Sequence, residues 1–72
     1  MDDATFGYFT QSDKRKEYPT ALDAEKGARR AARRLGERVP FYVWWGDAEA
    51  ELGSISSDGK HSDLTFAGSN YL

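Results

Sequence analysis

The apolar residues between positions 21 and 35 recur at the spacing of an α-helix. They form a stripe along one side of such a helix: Ala21, Ala24, Ala28, Ala31, Ala32 and Leu35. Thr20 followed by Asp23 matches a capping box, and Gly36 suits a left-handed C-cap. We therefore predict a helix over about residues 21–35, with its alanines close to the layer that they cover. Gly27 inside this helix costs up to ~1 kcal/mol relative to alanine, so we expect a bulky ring to pack against it.

The rest of the apolar pattern is typical of β-strands. Runs rich in aromatic and β-branched residues cover about residues 4–10, 39–45, 48–57 and 61–67. Gly46-Asp47 predicts a two-residue hairpin turn, residues 11–18 a polar loop and residues 68–72 a frayed tail. The order β-α-β-β-β predicts a two-layer α+β fold in a single domain, residues 1–72. In this fold one helix packs on a mainly antiparallel sheet of three to four strands.

The hairpin turn also determines which side chains share a face of the sheet. One face is apolar and carries the cross-strand pairs Phe41–Leu52, Val43–Ala50 and Trp45–Ala48. Leu64 and Phe66 of the last strand join this face only if the loop before them has an odd number of residues. We therefore predict either a three-residue loop, Asp58-Gly59-Lys60, or a β-bulge near Gly53.

The opposite face of the same strands carries two large rings and two carboxylates, and the register leaves it without cover from the helix. These residues are Tyr42, Trp44, Glu49 and Glu51. Exposed Trp and Tyr beside carboxylates are suited to contact a protein partner or a second copy of the chain. The alternative is that the first strand, or the tail with Tyr71 and Leu72, folds across these rings. Stacking of nucleic-acid bases is disfavoured, because the carboxylates would repel phosphates.

The chain has ten aromatic residues but only eight Leu, Val and Ile residues among its 72, so rings must build much of the core. Cysteine is absent, which excludes disulfides, thiolate zinc sites and a cysteine nucleophile. A chain this short without cross-links is near the lower size limit for independent stability. Its size therefore favours dimerisation or binding to a partner.

The sequence lacks the signals of membrane insertion or export. No apolar run approaches the ~18 residues of a membrane span. The acidic start Met1-Asp2-Asp3 does not match the basic and then apolar pattern of a signal peptide. We therefore expect no membrane association and a cytoplasmic location.

Charge is distributed unevenly along the chain, whose net charge is −2. Residues 19–38 carry six basic and three acidic groups, a balance of +3, whereas residues 39–72 carry one basic and five acidic groups, a balance of −4. The basic groups lie on the helix away from the alanines, or just beyond its C-cap: Lys26, Arg29, Arg30, Arg33, Arg34 and Arg38. The leading interpretation of these basic residues is an ordinary helix surface that faces solvent. Contact with an acidic protein, or with the phosphates of a nucleic acid, is the alternative.

Few residues combine into a catalytic or metal-binding pattern. Glu49 and Glu51 lie two residues apart on one strand face, so their carboxyl groups could be as close as the two catalytic carboxyl groups of a glycosidase. A chain of this size, however, leaves no space for a substrate cleft. Asp58, His61 and Asp63 form only a weak metal-like cluster around a turn. We therefore expect no enzymatic activity, no metal and no cofactor.

The segment Tyr18-Pro19-Thr20, which leads into the alanine-rich helix and then a strand pair, resembles small bacterial and phage domains of unknown function. The layout is also similar to that of very small phage-encoded inhibitors of host defence, including certain anti-CRISPR proteins. The resemblance implies a non-enzymatic protein that docks on a larger target in the cytoplasm of a bacterial host. It carries no site residue over to this chain.

The sequence thus predicts a small, non-enzymatic protein-binding module, such as an accessory or inhibitor protein of a phage or mobile element. Two surfaces are candidates for the contact: the Arg-rich helix face and the face with Tyr42 and Trp44. Nucleic-acid binding through the helix face, and a role as the subunit of a structural homodimer, are the alternatives.

Overall fold

Five strands and two helices make up the computed structural model, which describes residues 4–11 and 14–72. In chain order they are β1 (Thr5–Tyr8), β2 (Lys16–Tyr18), α1 (Ala21–Leu35), β3 (Val39–Trp45), β4 (Ala48–Ile55), β5 (Ser62–Leu64) and α2 (Phe66–Tyr71). The strands form one antiparallel sheet in the order β2-β1-β3-β4-β5. The predicted α+β class is confirmed, with five strands in the described residues where three to four were expected. The acidic start Met1-Asp2-Asp3 lies outside the described residues.

Helix α1 has the predicted bounds because the signals at both of its ends are local. The Thr20 side chain accepts a hydrogen bond from the Asp23 N–H (3.1 Å). At the other end Gly36 adopts φ 68°, and its N–H donates to the Ala32 carbonyl (2.8 Å). The ring expected at Gly27 is that of Tyr18, whose Cζ lies 2.7 Å from where a Cβ would stand.

The core lies between α1 and the sheet. The alanine stripe of α1 is buried against β1, β3 and β4, and its partners there are Phe6, Tyr8, Val39, Phe41, Val43, Leu52 and Ile55. Because alanine is small, the helix axis can approach the sheet closely, and the larger volume comes from the strands. Helix α2 covers the end of this core, where Ala67 packs against the cluster and the Tyr71 ring meets Phe6 at 5.4 Å.

A β-bulge interrupts the β3–β4 pairing next to Gly53. The predicted pairs Val43–Ala50 and Trp45–Ala48 are present, but Phe41 pairs with Gly53 because Leu52 is the extra residue. The bulge that the sequence predicted near Gly53 is therefore confirmed. The loop between β4 and β5 covers residues 56–61 and is longer than the alternative of three residues.

The C-terminal segment differs from the sequence prediction. A strand was expected over 61–67 and a frayed tail over 68–72, but β5 ends at Leu64 and α2 follows. Thr65 caps α2, and its hydroxyl accepts a hydrogen bond from the Gly68 N–H (3.0 Å). Because the chain enters a helix there, Phe66 is 86% exposed and does not join the core as a strand residue would.

Four further expectations about the strands and the loops beside them need correction. Trp45 is 44% exposed, and its partner Ala48 is exposed too, so the core ends at Val43, before the turn. The strand expected over 48–57 ends at Ile55, because a turn begins at Ser56, whose carbonyl accepts a hydrogen bond from the Gly59 N–H (2.8 Å). The first strand is shorter than 4–10, and the polar loop expected over 11–18 contains strand β2.

Candidate functional site

The sheet face opposite α1 carries a cluster of aromatic rings. Strand alternation places Tyr42 and Trp44 there, since their neighbours Phe41 and Val43 point into the core. We call this surface the aromatic face and define it by six residues: Phe9, Arg15, Tyr42, Trp44, Glu49 and Glu51. The four residues that the sequence predicted for this face lie together on it.

Three rings of the aromatic face stack on one another. Phe9 lies 5.2 Å from Tyr42 between ring centroids, with 15° between the planes, and 6.5 Å from Trp44. Tyr42 and Trp44 are 5.9 Å apart. The Arg15 guanidinium carbon sits 3.8 Å from the centre of a Trp44 ring, and a salt bridge to Glu17 (2.9 Å) helps to hold it there.

The stack buries Trp44 but leaves Phe9 accessible. Trp44 is only 4% exposed and Tyr42 is half-buried, whereas Phe9 is 43% exposed. The sequence left open whether Trp44 is exposed or covered by the first strand or the tail, and the structure shows that it is covered. Its cover comes from Phe9 and Arg15, which flank β1 and β2, and not from the tail, since Tyr71 packs against Phe6 in the core.

Gly7 creates the space for this arrangement. It lies on β1 opposite Tyr42, where a side chain would project onto the aromatic face. A Cβ at this position would stand 2.9 Å from Cζ3 of Trp44 and would collide with the carbonyl oxygen of Lys16. The missing side chain therefore allows the Trp44 ring to lie beside β1 and allows β2 to pair with β1.

Two carboxylates border the rings on the β4 side. The Trp44 indole N–H donates a hydrogen bond to Glu49 Oε1 (2.7 Å), which fixes the ring in its plane. Glu51 lies 3.9 Å from the Arg38 guanidinium, and both side chains are exposed. Burial raises the pKa of the Tyr42 hydroxyl above its ordinary value, and the charges of Glu51 and Glu49 raise it further while Arg38 lowers it.

The basic face of α1 is smaller than the sequence predicted. Four members lie exposed on the helix: Lys26, Arg30, Arg33 and Arg34. Arg29 does not belong with them, because its guanidinium donates to the Gly59 carbonyl (3.0 Å) and to the Ser62 hydroxyl (2.8 Å) and pairs with Glu25 (3.3 Å). Arg38 is exposed, but its guanidinium lies beside Glu51 at the border of the aromatic face.

Sequence reasoning missed two residues of the aromatic face, Phe9 and Arg15. Phe9 follows the alternation of β1, in which Phe6 and Tyr8 point into the core and Gly7 points away. That pattern could have placed Phe9 beside Tyr42. No comparable signal marks Arg15, because its position depends on the pairing of β2 with β1.

The weaker candidates for chemistry do not assemble into a site. Asp58 Oδ1 accepts hydrogen bonds from the Ser56 hydroxyl and from the Lys60 N–H, and these two bonds lower the pKa of its carboxyl. Within residues 4–11 and 14–72, no group of three His, Asp or Glu side chains is placed to hold a metal ion. The same part of the chain encloses no pocket, and Glu49 and Glu51 contact Trp44 and Arg38 respectively.

Comparisons with protein-family models, with curated proteins and with solved structures find no match to this chain. Neither helix in the described part is long and apolar enough to cross a membrane. The geometry of the aromatic face is therefore the basis for inferring the function of this protein.

Proposed function

We propose that this protein is a small, non-enzymatic protein-binding module that docks on a larger target through the aromatic face. The observation that carries the proposal is the stack of Phe9 on Tyr42 and Trp44, on the side of the sheet that neither helix covers. Trp, Tyr and Arg are the residue types that most often dominate binding energy at protein interfaces. The aromatic face offers Tyr42 and Arg15 beside the partly exposed Phe9 ring, and the buried Trp44 supports them from below.

The rings of the stack already contact one another before any partner arrives, which favours binding. Glu49 on β4 fixes the Trp44 indole by a hydrogen bond, and Arg15, which directly precedes β2, packs on the ring from beyond β1. Side chains that are already ordered lose little conformational entropy when they are buried, a loss that costs about 0.5–1.5 kcal/mol for each mobile side chain. Phe9 and Tyr42 would therefore present a preformed apolar surface with charges at its border.

A purely structural role makes a different prediction. If Phe9 and Arg15 only complete a second small core, replacing Phe9 would lower stability and nothing would contact this face from outside. The two roles are separated by asking what lies next to Phe9 in cells, and not by measuring stability.

The test is photo-crosslinking in cells of the native host, with p-benzoylphenylalanine at position 9. The matched control carries the same residue in place of Leu22, which is 52% exposed on α1 in the other layer. We expect a discrete crosslinked product of larger mass from position 9, little from position 22, and loss of the product when Tyr42→Ala is added. Equal labelling at both positions, or no product from position 9, would contradict the proposal.

The mass of the product decides between a target and self-association. A product of twice the mass of the chain would replace the proposal with the homodimer that the sequence left open. The inhibitor role, the phage origin, the cytoplasmic location and nucleic-acid binding through α1 stay predictions.

A further inference from the structure

The border of the aromatic face along β4 is acidic. Glu49 and Glu51 point to this side, and Asp47 precedes them in the turn. Residues 39–72 together carry one basic and five acidic groups. A partner surface that is neutral or positive would therefore approach this border more favourably than an acidic one.

The aromatic face already holds one guanidinium group. Arg15 packs its guanidinium on Trp44 at 3.8 Å and pairs with Glu17. This arrangement, a planar cation on a ring with a carboxylate at its edge, suits arginine better than lysine, because the guanidinium can stack and pair at the same time. The chain thus shows within itself how the face binds an arginine.

A second arginine and carboxylate, Arg38 and Glu51, lie near Tyr42 and are only loosely paired. Arg38 approaches Glu51 to 3.9 Å, which is longer than a formed hydrogen bond, and both side chains are exposed. Exposed ion pairs of this kind contribute little and exchange readily with solvent or with another cation. Burial, Glu51 and Glu49 raise the pKa of the Tyr42 hydroxyl, and the charge of Arg38 offsets part of this rise.

We infer that the docking segment of the partner presents an arginine, whose guanidinium packs against the Phe9–Tyr42 ring pair and binds Glu51 in place of Arg38. This inference rests on the proposed function and names the chemistry of the partner at that surface. Arg38 then acts as a placeholder, which keeps Glu51 paired until the arginine of the partner displaces it.

The test uses a defined probe, the peptide acetyl-Gly-Gly-Arg-Gly-Gly-amide, and the same peptide with citrulline or lysine in place of arginine. Binding is followed by ¹H–¹⁵N NMR, with the indole N–H of Trp44 and the backbone N–H of Tyr42 as reporters. We expect saturable shifts at these two positions with a Kd of about 1–10 mM, as for a single small contact. The citrulline peptide, which has the same shape but no charge, should bind at least about fivefold more weakly, and the lysine peptide should also bind more weakly.

Three variants separate this site from a general effect of charge. Glu51→Gln should weaken binding of the arginine peptide at least about fivefold, because it removes the carboxylate partner. Arg38→Gln should strengthen binding about two- to fivefold, because it removes the placeholder. Asp58→Asn removes one negative charge in the 56–61 loop and should leave the Kd unchanged. All three replaced residues are exposed, and the dispersion of each spectrum reports that the fold is retained.

Several results would overturn the inference. These are equal binding of the arginine and citrulline peptides, weakening by Asp58→Asn as large as that by Glu51→Gln, and weaker binding after Arg38→Gln. The failure of the inference can be told from the failure of the proposed function. If crosslinking from position 9 captures a target but the arginine peptide does not bind, the docking face stands and the arginine does not. If neither is observed, both are wrong.

Discussion

Replacing Gly7 by alanine is the sharpest perturbation of the arrangement behind the aromatic face. The added Cβ would meet two groups at once: the ring of Trp44, 2.9 Å from Cζ3, and the backbone carbonyl of Lys16. If the added Cβ met only the end of a flexible side chain, that side chain could rotate away. The Lys16 carbonyl cannot, because it belongs to the backbone of a paired strand. Relief requires β2 to separate from β1, or the Trp44 ring to leave its place under Arg15.

The size of the effect follows from these contacts. Overfilling a packed site costs about 1–3 kcal/mol, and the backbone collision places Gly7→Ala near the upper end, at about 2–3 kcal/mol. A domain of 72 residues has a total stability of about 4–11 kcal/mol at the usual value per residue. The variant should therefore fold but lose a large part of its stability.

Urea denaturation followed by far-UV circular dichroism measures this loss. With a slope of about 1 kcal/mol per molar urea, the midpoint of Gly7→Ala should fall by about 2–3 M. Gly36→Ala is the matched control, because no atom lies within 4 Å of its added Cβ and only the positive φ of 68° opposes it. That control should cost about 1 kcal/mol. A midpoint for Gly7→Ala equal to that of the parent protein, or above that of Gly36→Ala, would refute the reasoning.

Two further predictions concern the rings themselves. Trp44→Phe removes the 2.7 Å hydrogen bond to Glu49 and should lower the free energy of unfolding by about 1 kcal/mol in the same assay. Trp45→Phe, at an exposed position, should change it by less than about 0.5 kcal/mol, and equal effects of the two variants would count against the assigned role of Trp44. Tyr42 has a pKa raised above 10.0 in the folded state, so its contribution to stability is complete below pH 10 and is lost as the pH rises through the folded value. Urea midpoints measured across this alkaline range should therefore fall more for the parent protein than for Tyr42→Phe, and parallel curves would contradict the shift.

The parts of the fold that the sequence predicted well depend on local signals. Helix α1 begins and ends as expected because Thr20, Asp23 and Gly36 form caps within a few residues of each end. The β3–β4 hairpin was predicted in the same way, from the turn Gly46-Asp47 and the alternation on either side of it.

The missed elements depend on contacts that are distant in sequence. Strand β2 is a polar triplet, Lys16-Glu17-Tyr18, and it is a strand because β1 offers it pairing groups, with Tyr18 opposite Phe6. Helix α2 contains Gly, Ser and Asn, which are poor helix formers. Its Thr65 cap is a local signal, but the helix is also held by Ala67 and Tyr71, which pack at the end of the core against residues distant in sequence. Neither contact can be read from a hydrophobic pattern.

The sequence predicted which strand residues lie on the aromatic face, but it did not predict which of their side chains are exposed. Alternation correctly placed Tyr42 and Trp44 on the face away from α1. The burial of Trp44 follows from Phe9 and Arg15, which reach it only after β1 and β2 have paired beside β3. The sequence therefore located the face, whereas the pairing of the strands determined which of its rings meets solvent.

The two outermost strands of the sheet have a consequence for solubility. A chain in which 14% of the residues are aromatic risks edge-to-edge association, in which an unpaired strand templates the strand of another molecule. Here β2 and β5 are only three residues long, and each carries charge, at Lys16 and Glu17 on one edge and at Asp63 on the other. A strand from another molecule could form only a few backbone hydrogen bonds with either edge, and pairing there would remove a charged side chain from water. The edges of the sheet thus oppose fibre formation, which leaves the molecule free to keep its rings at the surface.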